Sequence, residues 1–260
     1  MNELSIILSA LTLALLTGFA YKVREWIKAI RLDSKHIGDR LNLLQSQTND
    51  SINRATQETV NTTCISSLGF QFPVFLGEWS IDSFLGRFLI PHLVEHRPKC
   101  IVELGSGSST IIIARVLQLL GEKKTTHIAV DHEKKYLDLT CIGAELNGVA
   151  EGTEFIHCPL VHNDSLDKLW YGGLTEKLSD QKIDLLIIDG PPGALQPMSR
   201  YPALPLLLPY MSEDCTIVLD DAGRDEEQEI AKRWIQENPE FNLIFNHDGH
   251  GLAILTRQKP

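Results

Sequence analysis

Short apolar segments, rich in β-branched residues, recur between residues 100 and 219 of the 260-residue chain. Their length and composition are typical of buried strands. The predicted strands cover residues 100–104, 127–130, 154–157, 183–188 and 216–219. Two segments long enough for helices, 109–120 and 134–146, separate the first three strands. This alternation predicts an α/β fold with a doubly wound, mostly parallel sheet.

Two further apolar segments, 241–246 and 252–257, stand near the end of the chain. The five residues between them, HDGHG, include two glycines, so the pair is predicted to form a β-hairpin. We expect its turn, with His247 and His250, to lie at the end of the sheet where the parallel strands finish.

The segment 103–110, ELGSGSST, leads from the first predicted strand into the first helix of the sheet. Its glycines allow a ligand to approach the backbone, and the helix N-terminus offers unpaired amides. A dinucleotide-binding fingerprint needs a third glycine where Thr110 stands. A nicotinamide-dependent oxidoreductase is therefore disfavoured, and an ordinary tight turn remains the alternative for this segment.

Acidic residues follow three of the predicted strands: Asp131, Asp189 and the pair Asp220 and Asp221. Asp131 could hold the hydroxyls of a ribose or cap the next helix, and the two roles are compatible. The other three converge at one crevice, so they must be separated, partly protonated or neutralised by a cation. Mg²⁺, Mn²⁺ or Ca²⁺ would suit these oxygen ligands, whereas capping of loops is the alternative.

With these motifs, the chain resembles the class I S-adenosylmethionine-dependent methyltransferases from about residue 79 to 255. The match is closest to a bacterial group with an ELGSG-ST first motif, a DGPPG fourth motif, here residues 189–193, and an RYPALP segment, here residues 200–205. The resemblance implies a Rossmann-like, seven-stranded sheet whose last strand is antiparallel. It also implies that S-adenosylmethionine is bound by Glu103, Gly105, Ser106, Gly107, Asp131, Cys158 and Asp189.

Two mechanisms follow from the resemblance. In catechol-type relatives, an acid after the fourth strand and an Asp-Asn pair after the fifth bind Mg²⁺. Asp189, Asp220 and Asp221 occupy similar places here, although the second member of the pair is Asp. Asp189 is thus a candidate for catalysis and for metal binding. Without a metal, His247 or His250 is the candidate base, and Arg200 and Tyr201 are candidates for binding an anionic group of the substrate.

The N-terminal segment 4–21 contains no charged residue, and as a helix it would be about 27 Å long, which is close to the thickness of a bilayer core. Lys22, Arg24, Lys28 and Arg31 follow it. This predicts a transmembrane anchor at residues 1–24, with the rest of the chain in the cytoplasm. A buried core helix and a cleaved signal peptide are the alternatives, although residues 1–3 lack the positive charge of a signal peptide.

Residues 25–64 are predicted to form a helical stalk. Apolar residues at 27, 30, 37, 41 and 44 follow the spacing of a coiled-coil seam, which indicates a homodimer. A solvated amphipathic helix would show a similar pattern. Polar residues at 61–63 and 66–69 predict a linker, so the methyltransferase-like domain is expected at residues 65–260.

The formal net charge of −10 gives no support to nucleic acid as a partner. The five cysteines include no C-x-x-C pair, which favours a reducing compartment over a disulfide framework. The expected function is O-methylation of a small-molecule or membrane-associated acceptor at the cytoplasmic membrane face. The alternative is a membrane-tethered module that binds cofactor or a partner without catalysis.

Overall fold

The computed structural model describes residues 3–77, 80–178 and 182–257. The chain divides into two compact units, with the boundary between Ala55 and Thr56. Residue 79, at which the family resemblance begins, lies outside the described residues.

One continuous helix, α1 (Glu3–Ser66), accounts for the described part of the first unit and continues into the second. Nearly all of its apolar side chains in the first unit are exposed, including those at 27, 30, 37, 41 and 44. By length and composition, α1 is the one described helix that could cross a membrane, a test that signal sequences also pass. Pairing of the seam residues in a coiled coil stays a prediction.

The predicted break at residues 61–63 is wrong, because α1 passes through them and ends at Ser66. Asn and Thr cost only a few tenths of a kcal/mol each in a helix, which is too little to end one. The side chains of Asn61 and Ile65 are buried in the second unit, which stabilises this last turn. Gly69, with a φ of +71°, accepts the left-handed conformation that redirects the chain.

The second unit contains a seven-stranded sheet, as predicted. In chain order its strands are β1 (Cys100–Leu104), β2 (Thr126–Asp131), β3 (Thr153–His157), β6 (Ile183–Ile188), β7 (Met211–Leu219), β8 (Phe241–Asn246) and β9 (Leu252–Arg257). The spatial order is β3-β2-β1-β6-β7-β9-β8, and β9 runs opposite to the common direction of the other six strands. A separate two-stranded sheet, β4 (Leu160–Asn163) and β5 (Lys168–Tyr171), was not predicted.

Helices cover both faces of the large sheet. They are α2 (Ser83–His96), α3 (Ser108–Leu120), α4 (Lys134–Leu146), the short α5 (Leu174–Lys177) and α6 (Ala203–Leu207), and α7 (Asp225–Glu237). Alternate strand residues enter two apolar cores: Ile101 and Val218 pack with α2 and α3, whereas Val102 and Leu219 pack with α6 and α7. The sheet is therefore buried on both sides, as its continuous apolar strands require.

The parallel register brings the ends of four strands to one edge. Leu104 of β1 pairs with Val130 of β2 and with Ile188 of β6, and Ile188 pairs with Leu219 of β7. We call this the carboxyl edge of the sheet. The glycine turn and the acidic residues that follow these strands therefore lie along the same line.

Asp82 ties the hairpin turn between β8 and β9 to the start of α2. Its Oδ1 accepts the amides of Phe84 and Leu85, both at 2.9 Å, which caps the helix. Its Oδ2 accepts the amide of His250 at 2.6 Å. One carboxylate thus fixes two elements that are separated by more than 150 residues in sequence.

We expect Asp82→Ala to destabilise the domain by about 1–3 kcal/mol, because it removes a helix cap and leaves the His250 amide without its acceptor. Urea unfolding of the full chain measures this. Asp82→Asn keeps an acceptor oxygen and should therefore lose less stability than Asp82→Ala. An unchanged midpoint for Asp82→Ala would contradict this role.

Candidate active site

The glycine turn after β1 lies against the end of β6. Gly105 has a φ of +100°, and a Cβ there would approach the carbonyl carbon of Asp189 to 3.0 Å. The Asp189 amide donates to Leu104 O at 2.8 Å, which holds the two strand ends together. A Cβ on Gly107 would meet no described atom within 4 Å. The turn therefore has one closely packed side and one open side, as a backbone that receives a ligand requires.

Asp131, at the end of β2, is linked to this turn. Its Oδ2 accepts hydrogen bonds from the Ser106 amide at 3.2 Å and hydroxyl at 2.9 Å, and its Oδ1 accepts the Glu133 amide at 2.9 Å. Burial raises the pKa of Asp131, but hydrogen bonds from His132, Glu133 and Ser106 outweigh it and hold the net pKa below its usual value. Asp131 is therefore an ionised acceptor, and it also caps the loop before α4.

Glu103 and His127 form a buried pair on the face of the sheet that carries α3. His127 Nε2 lies 2.7 Å from Glu103 Oε2, and its Nδ1 lies 3.0 Å from Thr153 Oγ1. The network crosses β1, β2 and β3, and the side chains of Glu103 and His127 are fully buried. The sequence analysis assigned no role to His127. A histidine inside an apolar strand, beside a strand with a glutamate, is a pattern that could have indicated this buried pair.

Arg200 is the cation at the carboxyl edge. Its Nη2 donates to Asp189 Oδ1 at 3.1 Å and to Asp221 Oδ2 at 2.8 Å. It also donates to the Asp189 carbonyl at 3.1 Å, and its Nη1 donates to the Asp220 carbonyl at 2.9 Å. Only 3% of its side chain is exposed. Burial lowers the pKa of Arg200, but the two carboxylates outweigh that effect and raise it overall.

This placement does not support the predicted metal site at Asp189, Asp220 and Asp221. Among the described residues, no group of three or more His, Cys, Asp and Glu side chains is arranged to hold a metal ion. The guanidinium of Arg200 lies between Asp189 and Asp221, where an ion would have to bind both. Of the three predicted possibilities, which were separation, partial protonation and neutralisation by a cation, the structure shows a cation at Asp189 and Asp221, and it is an arginine and not a metal ion.

The acids at this edge differ in their protonation. Burial raises the pKa of Asp189 to about 6, although Arg200 opposes the rise, and a quarter of its side chain is exposed. Burial also raises the pKa of Asp220 well above its usual value, and the carboxylates of Asp189 and Asp221 add to the rise. Near neutral pH, Asp189 is therefore mainly ionised, whereas the environment of Asp220 favours its protonated form.

The hairpin turn reaches the same edge, as predicted. Backbone hydrogen bonds join Ala222 to Gly251 and Gly223 to His250, both at 2.8 Å. His250 Nδ1 lies 3.9 Å from Asp221 Oδ1, and its side chain is partly exposed. His247 instead is exposed and stacks on Phe245, with the ring centroids 6.0 Å apart. Of the two candidate bases, the structure brings only His250 to the acids.

The remaining predicted residues lie deeper in the domain. Cys158 is buried after β3, and its amide donates to the Asp131 carbonyl at 2.9 Å. Burial raises the pKa of its thiol. Tyr201 donates its hydroxyl to Glu237 Oε2 at 2.8 Å, and the Arg233 guanidinium lies 4.2 Å from its ring. The placements of Arg200 and Tyr201 favour internal contacts over contact with a substrate.

Four buried polar atoms near the carboxyl edge lack a hydrogen-bond partner in the described part of the chain. They are Glu103 Oε1, Tyr171 Oη, Asp220 Oδ1 and Glu227 Oε2. Most buried polar atoms in folded proteins are paired, because an unpaired one costs about 1–3 kcal/mol. Their concentration at one edge is typical of a site that is completed by a ligand.

Arg200→Met should destabilise the protein by about 3–5 kcal/mol, because it leaves Asp189 and Asp221 without their buried cation. Arg233→Met is the matched control: its partner Glu237 is half-exposed, so the loss should stay below about 1 kcal/mol. Urea unfolding of the full chain at pH 7 measures both. Equal losses of stability in the two variants would show that Arg200 does not link the loops that carry Asp189 and Asp221.

Comparison with known proteins gives an independent result. Residues 102–222 match a family described as "Methyltransferase domain". No curated protein matches the sequence significantly.

Solved structures share the fold. A putative O-methyltransferase from Klebsiella pneumoniae is 17% identical, with a TM-score of 0.58 over 79% of this chain and 99% of that chain. The O-methyltransferase TomG from Streptomyces achromogenes, solved with S-adenosylmethionine, is 14% identical, with a TM-score of 0.55 over 79% and 99%. An O-methyltransferase from Bacillus cereus, solved with S-adenosylhomocysteine, is 15% identical, with a TM-score of 0.54 over 78% and 91%. Residues 102–222 are therefore similar to a methyltransferase domain, and the chain shares the fold of these solved structures.

Proposed function

We propose that this chain is an S-adenosylmethionine-dependent O-methyltransferase that acts on a hydroxyl group of a small or membrane-associated acceptor. The observation that carries the proposal is the convergence at the carboxyl edge. An open glycine turn, the ionised acceptor Asp131 and the partly exposed Asp189 lie along the same edge of the sheet. The structures with a similar fold include three described as O-methyltransferases or putative O-methyltransferases.

The residues fit a nucleoside ligand on one side of the edge. The open side of Gly107 allows close approach to the backbone, and the Asp131 carboxylate can accept hydrogen bonds from ribose hydroxyls. Glu103, near the end of the strand that leads into this turn, has an unpaired Oε1. Thr110 stands where a dinucleotide fingerprint has glycine, and its Oγ1 accepts the Gly107 amide at 3.1 Å. This favours S-adenosylmethionine over a nicotinamide cofactor.

Asp189 is positioned to act on the acceptor. When bound, S-adenosylmethionine supplies a methyl group that its sulfonium already activates, so the protein mainly aligns a nucleophile and removes its proton. Asp189 has an exposed fraction of one quarter, and its pKa of about 6 makes it a base near neutral pH. It would accept the hydroxyl proton on its carboxylate, while Arg200 fixes its orientation. His250 is the second candidate base.

In this proposal, the positive charge of Arg200 stands where a metal-assisted mechanism would have a divalent ion. A bound divalent ion would orient the acceptor and lower the pKa of its hydroxyl. Here the guanidinium balances Asp189 and Asp221 but donates to protein carbonyls as well, so its donors are directed inward. We therefore propose a metal-independent reaction in which Asp189 removes the proton.

The proposal also includes the location of the protein. Residues 1–24 would anchor the chain as a single-pass membrane protein, and the basic residues that follow would keep the catalytic domain in the cytoplasm. The stalk at 25–64 would hold two copies together through its apolar seam. S-adenosylmethionine is made in the cytoplasm, so this orientation gives the catalytic domain access to its methyl donor. It also favours acceptors near the membrane.

Calorimetry on the full chain in detergent should detect micromolar binding of S-adenosylmethionine and none of NAD. Asp131→Ala should weaken binding by about 10- to 100-fold, because it removes a charged acceptor. The matched control is Asp138→Ala on α4, whose exposed carboxylate pairs with Lys134, and its affinity should equal that of the wild type. Absence of wild-type binding would refute the proposed function. Binding without turnover in a broad acceptor screen would instead favour the non-catalytic module.

The rate of methylation should rise with pH through a midpoint near 6, because Asp189 must lose its proton to act as a base. With one group of this pKa, the rate at pH 5 should be about one tenth of that at pH 7. Release of S-adenosylhomocysteine with an acceptor from the screen measures this. Asp189→Asn should abolish the activity, whereas His250→Gln should keep the midpoint. A profile that loses its midpoint in His250→Gln would assign the base to His250.

A further inference from the structure

A buried tyrosine hydroxyl lies beneath the carboxyl edge without a partner. Tyr171 is the last residue of β5, and its side chain is almost fully buried. Its Oη has no hydrogen-bond partner among the described residues. The ring meets Trp170 edge-on, with centroids 5.1 Å apart, and His132 at 6.4 Å. The ring is therefore held by packing, and the hydroxyl adds no hydrogen bond to it.

The hydroxyl lies at the junction of β1 and β6. A Cβ on Gly190 would fall 2.5 Å from Tyr171 Oη, 3.3 Å from the Leu104 carbonyl and 3.4 Å from Gly105 Cα. The hydroxyl thus touches the residue after Asp189, directly under the glycine turn. Because residue 190 has no side chain, only a Cα separates the hydroxyl from the strand ends.

The surroundings keep this hydroxyl as a donor. Burial raises the pKa of Tyr171 well above its usual value, and the nearby Asp131 carboxylate adds to the rise, although Arg200 opposes it. The group therefore retains its proton at any working pH. Phenylalanine would fill the same apolar space without an unpaired donor, so the hydroxyl is a stability loss that the packing alone does not explain.

We propose that Tyr171 is a ligand-binding residue whose hydroxyl donates a hydrogen bond to S-adenosylmethionine when the ligand binds at the Gly105–Gly107 turn. The inference rests on the proposed function and adds a contact that comes from β5, outside the large sheet. Its contact with Gly190, the residue after Asp189, places the donor beside the reacting end of the site. The small sheet β4–β5 then serves to deliver this side chain beneath the turn.

The test compares Tyr171→Phe with the wild type in two measurements on the full chain: thermal unfolding without ligand, and the Kd for S-adenosylmethionine. Removal of an unpaired hydroxyl should leave Tm equal or raise it by about 2–4 °C. The Kd should increase about 5- to 10-fold, because the ligand loses one hydrogen bond. Tyr210→Phe is the control: this half-buried tyrosine precedes β7, at the opposite edge of the sheet, and its Kd should not change.

Each other outcome has a definite meaning. If Tyr171→Phe has a lower Tm while its Kd is unchanged, the hydroxyl serves the fold and the inference is wrong. An unchanged Kd with unchanged Tm also overturns it. If the wild type itself does not bind S-adenosylmethionine, the proposed function fails first. Wild-type binding together with an unaffected Tyr171→Phe variant overturns this inference alone.

Discussion

The guanidinium of Arg200 is the interaction on which the carboxyl edge depends. Parallel strands deliver Asp189 from β6 and Asp220 and Asp221 from β7 to adjacent positions, and like charges in a buried site repel. Arg200 offsets this repulsion with two carboxylate contacts and fixes the loops through two carbonyls. Because all four groups are held by one side chain, the geometry of the edge is set before any ligand binds.

The three aspartates at this edge also differ in their environments. Asp221 is held by Arg200 and Arg224 in a left-handed backbone conformation, with a φ of +60°. Asp220 is buried in an environment that favours its protonated form, and Asp189 keeps a partly exposed face with a pKa of about 6. Three aspartates that look equivalent in sequence therefore have different environments and exposures, and Asp189 is the one that combines partial exposure with a pKa of about 6.

The sequence predicted the sheet well because its strands are short apolar runs bounded by clear turns. The segments at 183–188, 241–246 and 252–257 coincide with β6, β8 and β9. The strands β4 and β5 were missed because Leu160–Asn163 and Lys168–Tyr171 have four residues each and mixed polarity. The predicted break at 61–63 failed because burial of Ile65 outweighs weak local preferences.

At the site, the sequence located the glycine turn and the acids, since both are local features of strand ends. It also allowed for a cation between the acids but could not identify Arg200, because nothing in the chain near residue 200 shows that this side chain points inward between two loops. The pairing of Glu103 with His127 depends on strand register, and the position of Tyr171 depends on a sheet that local patterns do not reveal. Both are tertiary contacts between distant segments.

A crystal structure of the full chain in detergent, with S-adenosylhomocysteine and excess Mg²⁺, tests the central claim most directly. The account predicts the ligand at the Gly105–Gly107 turn, with its ribose at Asp131 and Arg200 still between Asp189 and Asp221. A Mg²⁺ ion bound by Asp189 and Asp221, with Arg200 displaced, would contradict the metal-independent site. A ligand bound elsewhere on the domain would contradict the assignment of the carboxyl edge as the active site.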